Sequence, residues 1–243
     1  MEQGKQVCEN IYNLIEKDET LFKALKDWQD FDPSAYSHAY LTTVFAAAII
    51  KRFEWQSKTT IEATAMACLF HDIGKMNNSS YFSENQFTGV NPHDELNSKE
   101  SVQIILNHVI EGIEIARKFN IPERVIDFIR THHGTSLVYY FYNKDSKLEI
   151  KPDEREYMYD GPKPFSKETA ILMMSDAVEA ASKSLKEPTI DKIQNFVESI
   201  VNKQVEEKQF NDCNITLAEI ETVKKVLSKK LINVYHLRVA YPE

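Results

Sequence analysis

Apolar side chains recur at spacings of three and four residues along most of this chain, which is the period of one buried face of an α-helix. The longest such runs lie around Phe45, Phe70, Leu106 and Met173. We find no segment with convincing strand alternation, in which apolar and polar residues would change places at every step. The pattern therefore predicts an all-α fold.

Helix-start signals divide this pattern into elements. Asp32-Pro33 combines an N-cap with a proline at the first helical position, and Thr216 with Glu219 forms a capping box. We predict the following helices, in chain order: two short amphipathic helices within 4–30, one from Pro33 through Ile50, one capped by Ser57 that carries His71-Asp72 and stops at Gly74, one from Asn97 or Ser98, one from Pro122 to His132-His133-Gly134, one capped by Ser166, one from Pro188, and one from Thr216 to about Arg238. Polar loops are predicted at 76–97 and 148–164.

The composition supports a single domain. The chain has 243 residues, of which 42% are hydrophobic, and only 6 Gly and 8 Pro. These side chains suffice for a sizeable core, and no linker-like stretch divides them. We predict one domain over 1–243, in which N-terminal helices at 1–31 pack on a core at 33–184 and a helical extension occupies 185–243.

Charge and cysteine usage exclude several classes of protein. The net charge of −8 opposes binding to polymeric nucleic acid or to anionic membranes, and the sequence shows no run of Lys and Arg that would offset it. Cys8, Cys68 and Cys213 have no CxxC spacing, so neither a disulfide framework nor a zinc knuckle is predicted. No apolar stretch is long enough to cross a bilayer. We therefore expect a cytoplasmic protein with no membrane contact of its own, and its oligomeric state stays open.

One apolar run ends in charged residues. The segment from Ala63 to Phe70 leads directly into His71-Asp72-Ile73-Gly74-Lys75. A carboxylate and an imidazole at the buried end of such a run are costly to desolvate unless a partner neutralises them, and a metal ion is the usual partner. A second His-Asp pair, His93-Asp94, lies in a polar loop with no apolar run before it.

Other histidines and carboxylates occupy similar positions, on helices or helix ends whose remaining residues are apolar. A lone histidine on an apolar face is usually a core residue, and this alternative stands for each member taken singly. A shared metal centre explains the whole set at once, and imidazole with carboxylate suits iron or manganese, with zinc, cobalt or nickel as alternatives. So many ligands suit two divalent ions about 4 Å apart, bridged by a carboxylate and a hydroxide, which is the clamp used to attack phosphate esters. The candidate ligands are His38, His71, Asp72, His108, His132, His133 and Asp176.

The order His38, His71-Asp72, Asp176 resembles the H…HD…D signature of the HD-domain metal-dependent phosphohydrolases, and the added histidines are like those of its dinuclear branch. Longer segments are similar to the catalytic domain of the PgpH-type cyclic di-AMP phosphodiesterases, from about residue 33 to the C-terminus. They are Tyr81-Phe82-Ser83-Glu84-Asn85-Gln86, Asn91-Pro92-His93-Asp94, His132-His133-Gly134-Thr135-Ser136-Leu137-Val138, Tyr140-Phe141-Tyr142, Gly161-Pro162-Lys163-Pro164, Asp176-Ala177-Val178-Glu179-Ala180-Ala181-Ser182, Tyr235-His236-Leu237-Arg238 and Tyr241-Pro242-Glu243.

The resemblance implies a helical bundle with a dinuclear site in its core and hydrolysis of cyclic di-AMP to the linear dinucleotide. One metal would be held by His38, His71, Asp72 and Asp176, and Asp72 would bridge to a second held by His108, His132 and His133. Lys75 would join Asp72 as a catalytic residue by contacting the phosphate or helping the leaving oxygen, although a lysine that interacts with a helix C-terminus is an equal alternative. The implied substrate contacts are Thr135 and Lys163 for phosphate, and Tyr81, Phe82 or Tyr140 for base stacking.

Three questions remain open: whether the chain is part of a longer protein, which nucleotide it acts on, and whether it is active. Relatives of this type usually carry transmembrane helices and a sensor domain, so the chain would be an excised domain or a soluble relative. A second option is that the substrate is another nucleotide, such as cyclic di-GMP, a nucleoside monophosphate or an alarmone. The cyclic di-GMP option is lowered because Thr135-Ser136 follows Gly134 where that group has a GYP motif. The third option is an inactive nucleotide-sensing module. Such a module is expected to have lost some of its metal ligands, and none of the candidate ligands is missing from this sequence.

Overall fold

The computed structural model describes residues 33–53, 57–82, 91–148 and 151–235. In these ranges the chain forms eight α-helices: α1 Pro33–Ile50, α2 Lys58–Phe70, α3 Ser98–Lys118, α4 Glu123–Thr131, α5 Tyr139–Asp145, α6 Lys167–Ser182, α7 Ile190–Glu206 and α8 Leu217–Val234. Three 3₁₀ segments, Ile73–Tyr81, Pro92–Glu95 and Glu154–Tyr157, connect some of them. Extended pairing within these residues is limited to an isolated bridge between Leu137 and Met158, so the prediction of an all-α fold is confirmed.

The predicted helix starts agree closely with the structure. Ser57 accepts a hydrogen bond from the backbone N–H of Thr60 at 3.1 Å, and capping boxes open α3 at Asn97, α6 at Ser166 and α8 at Thr216. The helices predicted from Pro122 and Pro188 begin at Glu123 and Ile190. The predicted helices within 4–30 lie outside the described residues, as does Arg238 beyond the end of α8.

The predicted helix stop at Gly74 is wrong, and so is part of the loop predicted at 76–97. α2 ends at Phe70, and the chain continues as a 3₁₀ segment from Ile73 to Tyr81. Gly74 is required by a close approach: a Cβ there would lie 1.9 Å from the carbonyl oxygen of His108 and 2.5 Å from the backbone nitrogen of Gly112. The glycine therefore lets this segment pack directly against α3.

A short helix and a 3₁₀ turn also lie where no element was predicted. α5 occupies the aromatic-rich stretch after Ser136, and Glu154–Tyr157 interrupts the polar loop predicted at 148–164. Val102, Phe141 and Tyr157 form a small separate apolar cluster. Packing across this cluster orders both segments, and such contacts between distant residues leave no periodic signal in the sequence.

α6 is the central helix of the bundle and contacts α1, α4, α7 and α8. Its residues Ile171, Leu172, Met174 and Val178 have no exposed surface, and each contributes about 1.5–3 kcal/mol through burial. A carboxylate on such a helix requires a charged or hydrogen-bonding partner. Of the helices described, none is both long and apolar enough to cross a membrane.

Candidate metal centre

Five elements bring the predicted ligands together in the core. α1 supplies His38, α3 supplies His108 and α6 supplies Asp176, whereas the residues at the ends of α2 and α4 supply the two consecutive pairs. The ligand atoms form two groups, within each of which all atoms lie within 4.8 Å of one another and so could hold a metal ion. The first group is His38, His71, Asp72 and Asp176, and the second is Asp72, His108, His132 and His133.

Three of the histidines are oriented by the backbone of their own helix. His71 Nδ1 donates to the carbonyl of Cys68 at 2.7 Å, and His132 Nδ1 donates to the carbonyl of Ile129 at 2.7 Å. His108 Nδ1 makes the same bond to the carbonyl three residues before it. A donating Nδ1 fixes the tautomer of the neutral ring, so each Nε2 faces the cluster and offers it a lone pair once the ring is unprotonated.

These lone pairs face one another. The Nε2 atoms of His108 and His132 are 3.2 Å apart, and each is 3.5 Å from Oδ1 of Asp72. Two acceptor nitrogens at this distance repel each other unless a proton or a cation lies between them. The donor set of the second group therefore fits a metal ion.

The buried carboxylate of Asp72 also requires positive charge nearby. It is 1% exposed, and neither of its carboxylate oxygens makes a hydrogen bond of acceptable angle within the described ranges. Its nearest charge is Nζ of Lys75, 2.7 Å from Oδ2, and the Lys75 ammonium also lies 5.2 Å from the centre of the Phe82 ring. One lysine cannot satisfy two buried oxygens, so the Asp72 carboxylate fits further positive charge of the kind that a bound cation would supply.

His38 is oriented by a side chain rather than by backbone. Its Nδ1 donates to Oε2 of the buried Glu179, while its Nε2 lies 2.8 Å from Asp176 Oδ1 and 3.3 Å from Asp72 Oδ2. Sequence analysis missed the role of Glu179. The available signal was its position three residues after Asp176, which places both carboxylates on one face of α6.

The two groups differ in their electrostatics. Burial disfavours a charged His71, but Asp72 and Asp176 outweigh it and raise its pKa to about 9. Burial together with the neighbouring His132 lowers the pKa of His108 to about 3, although Asp72 acts in the opposite direction. Burial would raise the pKa of Asp72, but His71 and Lys75 hold it well below its usual range. At neutral pH His108 is therefore an unprotonated imidazole, whereas a metal that binds His71 displaces a proton.

His133 lies at the opening of the site. Its side chain is 25% exposed, and its ring stacks on Tyr159 with centroids 4.3 Å apart. The helix predicted to run to Gly134 ends earlier, at Thr131, and Gly134, with a positive φ of +52°, lies in the turn that follows. A cavity of about 260 Å³ begins here, lined by His133, Tyr159, Arg130 and Arg155 among others. Sequence analysis did not identify Tyr159, which lies in the stretch predicted as loop.

Of the predicted substrate residues, Phe82 touches the ligand cluster, through an edge contact with the ring of His108 whose centroid is 5.6 Å away. Thr135, Lys163 and Tyr140 make other contacts around the site. Thr135 donates its backbone N–H to Oε1 of Gln209 at 3.1 Å, a buried partner that sequence analysis missed. Lys163 Nζ donates to the carbonyl of Lys208 at 3.0 Å, and the side chain of Tyr140 is largely exposed. The ring of Tyr81 contacts the ring of His93, which belongs to the second His-Asp pair.

The second His-Asp pair has a different role from the first. His93 Nε2 donates to the carbonyl of Tyr81 at 2.8 Å, and its ring makes edge contacts with Tyr81 and Phe141. Asp94 is exposed. These contacts support the loop that borders the site, and neither residue joins the ligand groups.

Comparison with known proteins gives matches in both sequence and structure. The HD-domain family matches residues 35–181. The cyclic-di-AMP phosphodiesterases PgpH of Listeria monocytogenes serotype 1/2a (strain 10403S) and Bacillus subtilis (strain 168) are each 38% identical to this chain, over 211 and 174 residues. These alignments cover 87% and 72% of this chain but 29% and 24% of the relatives, so the chain spans less than a third of their length.

Two solved structures of the L. monocytogenes PgpH HD domain resemble the whole bundle. The domain in complex with cyclic-di-AMP has a TM-score of 0.83 and 37% identity, covering 87% of this chain and 97% of that chain. A second structure of the domain has a TM-score of 0.82.

Proposed function

Because the chain belongs to the HD-domain family, we propose that it is a metal-dependent phosphodiesterase that hydrolyses cyclic di-AMP to the linear dinucleotide. The observation that carries the chemistry is the pair of buried ligand groups sharing Asp72, whose oxygens lack hydrogen bonds within the described chain. The substrate is supported by the likeness to a PgpH HD domain solved with cyclic-di-AMP, nearly all of which the chain covers.

The proposal includes two divalent transition-metal ions, iron or manganese first and zinc, cobalt or nickel as alternatives. His38, His71 and Asp176 would hold one ion, His108, His132 and His133 the other, and Asp72 would contact both. When bound, such a pair supplies positive charge to the phosphate and lowers the pKa of water to generate the nucleophile. The donor chemistry supports this, because imidazole and carboxylate ligands without thiolate suit these metals.

The remaining roles belong to the chain's own side chains. Lys75, buried beside Asp72, is suited to hold a proton near the leaving oxygen and to compensate negative charge on the phosphate. His133 and Tyr159 border the opening through which the nucleotide would enter. Thr135 and Lys163 are proposed as phosphate contacts and Tyr81 and Tyr140 as stacking surfaces.

We also place this reaction in the cytoplasm. Cys68 is a buried free thiol, and the described residues contain no disulfide, as expected in a reducing compartment. The proposed partner is a small nucleotide rather than a nucleic-acid polymer, in keeping with the net charge of −8.

Incubation of the purified protein with cyclic di-AMP, cyclic di-GMP and mononucleotides tests the proposal, with Mn²⁺ and with anaerobic Fe²⁺. We expect cyclic di-AMP to be converted fastest, chelation to abolish turnover, and Asp72→Ala to remove it in a folded protein. Asp94→Ala, in the second His-Asp pair, is the matched control and should retain activity. Undiminished turnover after chelation would refute the metal chemistry, whereas faster hydrolysis of another nucleotide would refute only the substrate.

A further inference from the structure

A second large cavity lies away from the metal centre, between the C-terminal part of α1 and one face of α8. Its volume is about 890 Å³, within the size range of small-molecule sites. It is lined by Ala47, Ala48, Lys51, Arg52, Thr222, Lys225, Val226, Lys229, Lys230 and Asn233. We call it the α1/α8 groove.

The groove concentrates positive charge in an acidic protein. Lys51 and Arg52 come from the end of α1, and Lys225, Lys229 and Lys230 come from α8. In the described part of the chain, none of these five side chains forms an ion pair or a side-chain hydrogen bond, although the net charge of the protein is −8. The sequence shows no such cluster because its members lie far apart along the chain.

The cations are close enough to repel one another. Burial lowers the pKa of the Lys230 ammonium, and Lys229, Lys51 and Arg52 lower it further. Like charges held together without a counter-charge destabilise the folded protein, so their arrangement points to an anion that completes it.

Helix dipoles do not account for the arrangement. Cations are stabilised at a helix C-terminus, but only within the last turn. Lys51 and Arg52 follow the end of α1 and fit that explanation. The lysines of α8 do not, because the last turn of this helix contains no basic residue.

We propose that the α1/α8 groove binds a soluble small molecule that carries at least two phosphate groups. Lysine and arginine are the usual phosphate ligands, and several of them are needed to neutralise two phosphates. Ala47, Ala48 and Val226 form a small apolar lining that leaves room for the rest of the molecule. A groove sunk between two helices favours a small molecule over a flat membrane surface.

This site is separate from the proposed active site. Lys51 directly follows α1 and lies thirteen residues after His38, which corresponds to roughly 20 Å along the helix axis. The inference therefore does not depend on the proposed function.

Calorimetric titration of the metal-loaded protein with inorganic pyrophosphate tests the site. The groove variant is Lys51→Gln/Lys229→Gln/Lys230→Gln, and the matched control is Lys118→Gln/Lys147→Gln/Lys186→Gln, three exposed lysines elsewhere with the same loss of charge. We expect Kd to rise at least tenfold in the groove variant and to stay within twofold in the control. Any pyrophosphate binding at the metal centre is common to the wild type, the groove variant and the control. The metal content per chain is measured before and after each titration.

Folding does not confuse the result, because removing like charges should leave the melting temperature of the groove variant equal or higher. Equal loss of pyrophosphate binding in both triple variants would overturn the proposal in favour of general electrostatics. Flotation with phosphatidylglycerol vesicles, against phosphatidylcholine, is the second measurement. Groove-dependent vesicle binding without pyrophosphate binding would overturn it in favour of a lipid surface.

Discussion

At the scale of single residues, the candidate site depends on how each imidazole is oriented. His38 is the histidine whose orientation comes from a side chain on another helix, since its Nδ1 donates to Glu179. Loss of a partner of this kind typically weakens metal binding 10- to 100-fold. Glu179 is therefore a positioning residue, acting through His38.

We expect Glu179→Ala to weaken binding of one of the two metals about 10- to 100-fold, because His38 can then rotate away from Asp176 and Asp72. Glu179→Gln keeps an oxygen that accepts from Nδ1 and should restore most of the affinity. Competition with a metal-sensitive chelator dye measures both variants. Similar metal affinity in wild type and Glu179→Ala would show that the contact only fills space.

For His133→Ala we expect metal content to fall toward one ion per chain and activity to fall by orders of magnitude, since the charge clamp depends on both ions. The melting temperature should change little, because the first group still neutralises Asp72 and Asp176. Elemental analysis and calorimetry check this, with His93→Ala as a control that keeps its metals. Two ions and full activity in His133→Ala would make this residue a core histidine.

Residue types and their apolar surroundings were enough to predict which side chains gather in the core. They could not give the pairing of Nδ1 of His38 with Glu179, or the stack of His133 on Tyr159, since both contacts join residues distant in sequence. The hydrogen bonds of His71, His108 and His132 are local, and a helical sequence allows them to be anticipated.

At the scale of elements, the contact between α3 and the 3₁₀ segment Ile73–Tyr81 determines whether Asp72 and His108 meet. Gly74 sits at the closest point, against the backbone of α3. A side chain at this position has to displace backbone atoms of α3, which cannot move aside as a flexible side chain can.

Gly74→Ala should destabilise the fold by about 3 kcal/mol or more and lower metal content, because the new Cβ pushes α3 and His108 away from Asp72. Gly112→Ala, on the other side of the same contact, should cost clearly less: its Cβ meets a side-chain methyl of Ile129 at 3.0 Å and the backbone nitrogen of Gly74 at 3.3 Å, and the gain in helix propensity offsets part of the strain. Urea unfolding of both variants measures the difference. Equal stabilities would mean that the segment is not held against α3.

One carboxylate joins three elements beside the site. Asp145, at the end of α5, accepts hydrogen bonds of 2.6 Å from Ser98 at the start of α3 and from Tyr157 in a 3₁₀ segment. Burial would raise the pKa of Asp145, but these two bonds outweigh it and lower the pKa. The stabilisation is present above the pKa of the unfolded chain and is lost as the pH falls through the lower pKa of the folded state.

Asp145→Asn should therefore reduce stability by about 1–2 kcal/mol at pH 7, a figure discounted for partial exposure, and the difference from wild type should shrink below about pH 4. Denaturant unfolding between pH 3 and pH 7 measures it. A difference that is independent of pH would show that the charge of Asp145 does not matter.

Helix starts were predictable because capping is local: the side chains of Ser57, Asn97, Ser166 and Thr216 bond within three residues. The end of α2 and the existence of α5 were not, since tertiary contacts decide both. In the sequence alone, Gly74 is indistinguishable from a helix stop, although the structure requires a glycine there for its close approach to α3.

At the scale of the whole molecule, the buried charges link metal binding to folding. Ions that bind only the folded state stabilise it by about 4 kcal/mol each at a free concentration a thousand times Kd. For a chain of this length, this corresponds to roughly 10 °C in melting temperature.

We expect chelation to lower the melting temperature by about 10 °C or more, and Mn²⁺ in excess to restore it. Scanning calorimetry of the same sample before chelation, after it and after addition of Mn²⁺ makes the comparison. An unchanged melting temperature would indicate that the buried clusters fold equally well without cations, against the fit argued from Asp72.

The overall bundle could be expected from periodicity and from the resemblance, whereas the α1/α8 groove could not. Lys51 and Lys230 become neighbours only because the two helices pack together. Net charge describes the molecule as a whole and says nothing about such local reversals of sign.

The bonds from His71 and His132 to carbonyls three residues earlier have a meaning for protein design. Both histidines cap helices, where the last carbonyls have no partner within the helix. One bond therefore satisfies a carbonyl and aims a ligand at the same time. When a helix ends inside a protein core, a designer can place histidine directly after its last residue, and no further side chain is needed to orient the imidazole ring. Metal sites could be grafted onto helical scaffolds by altering helix ends alone, leaving the surrounding pocket free to be chosen for another substrate.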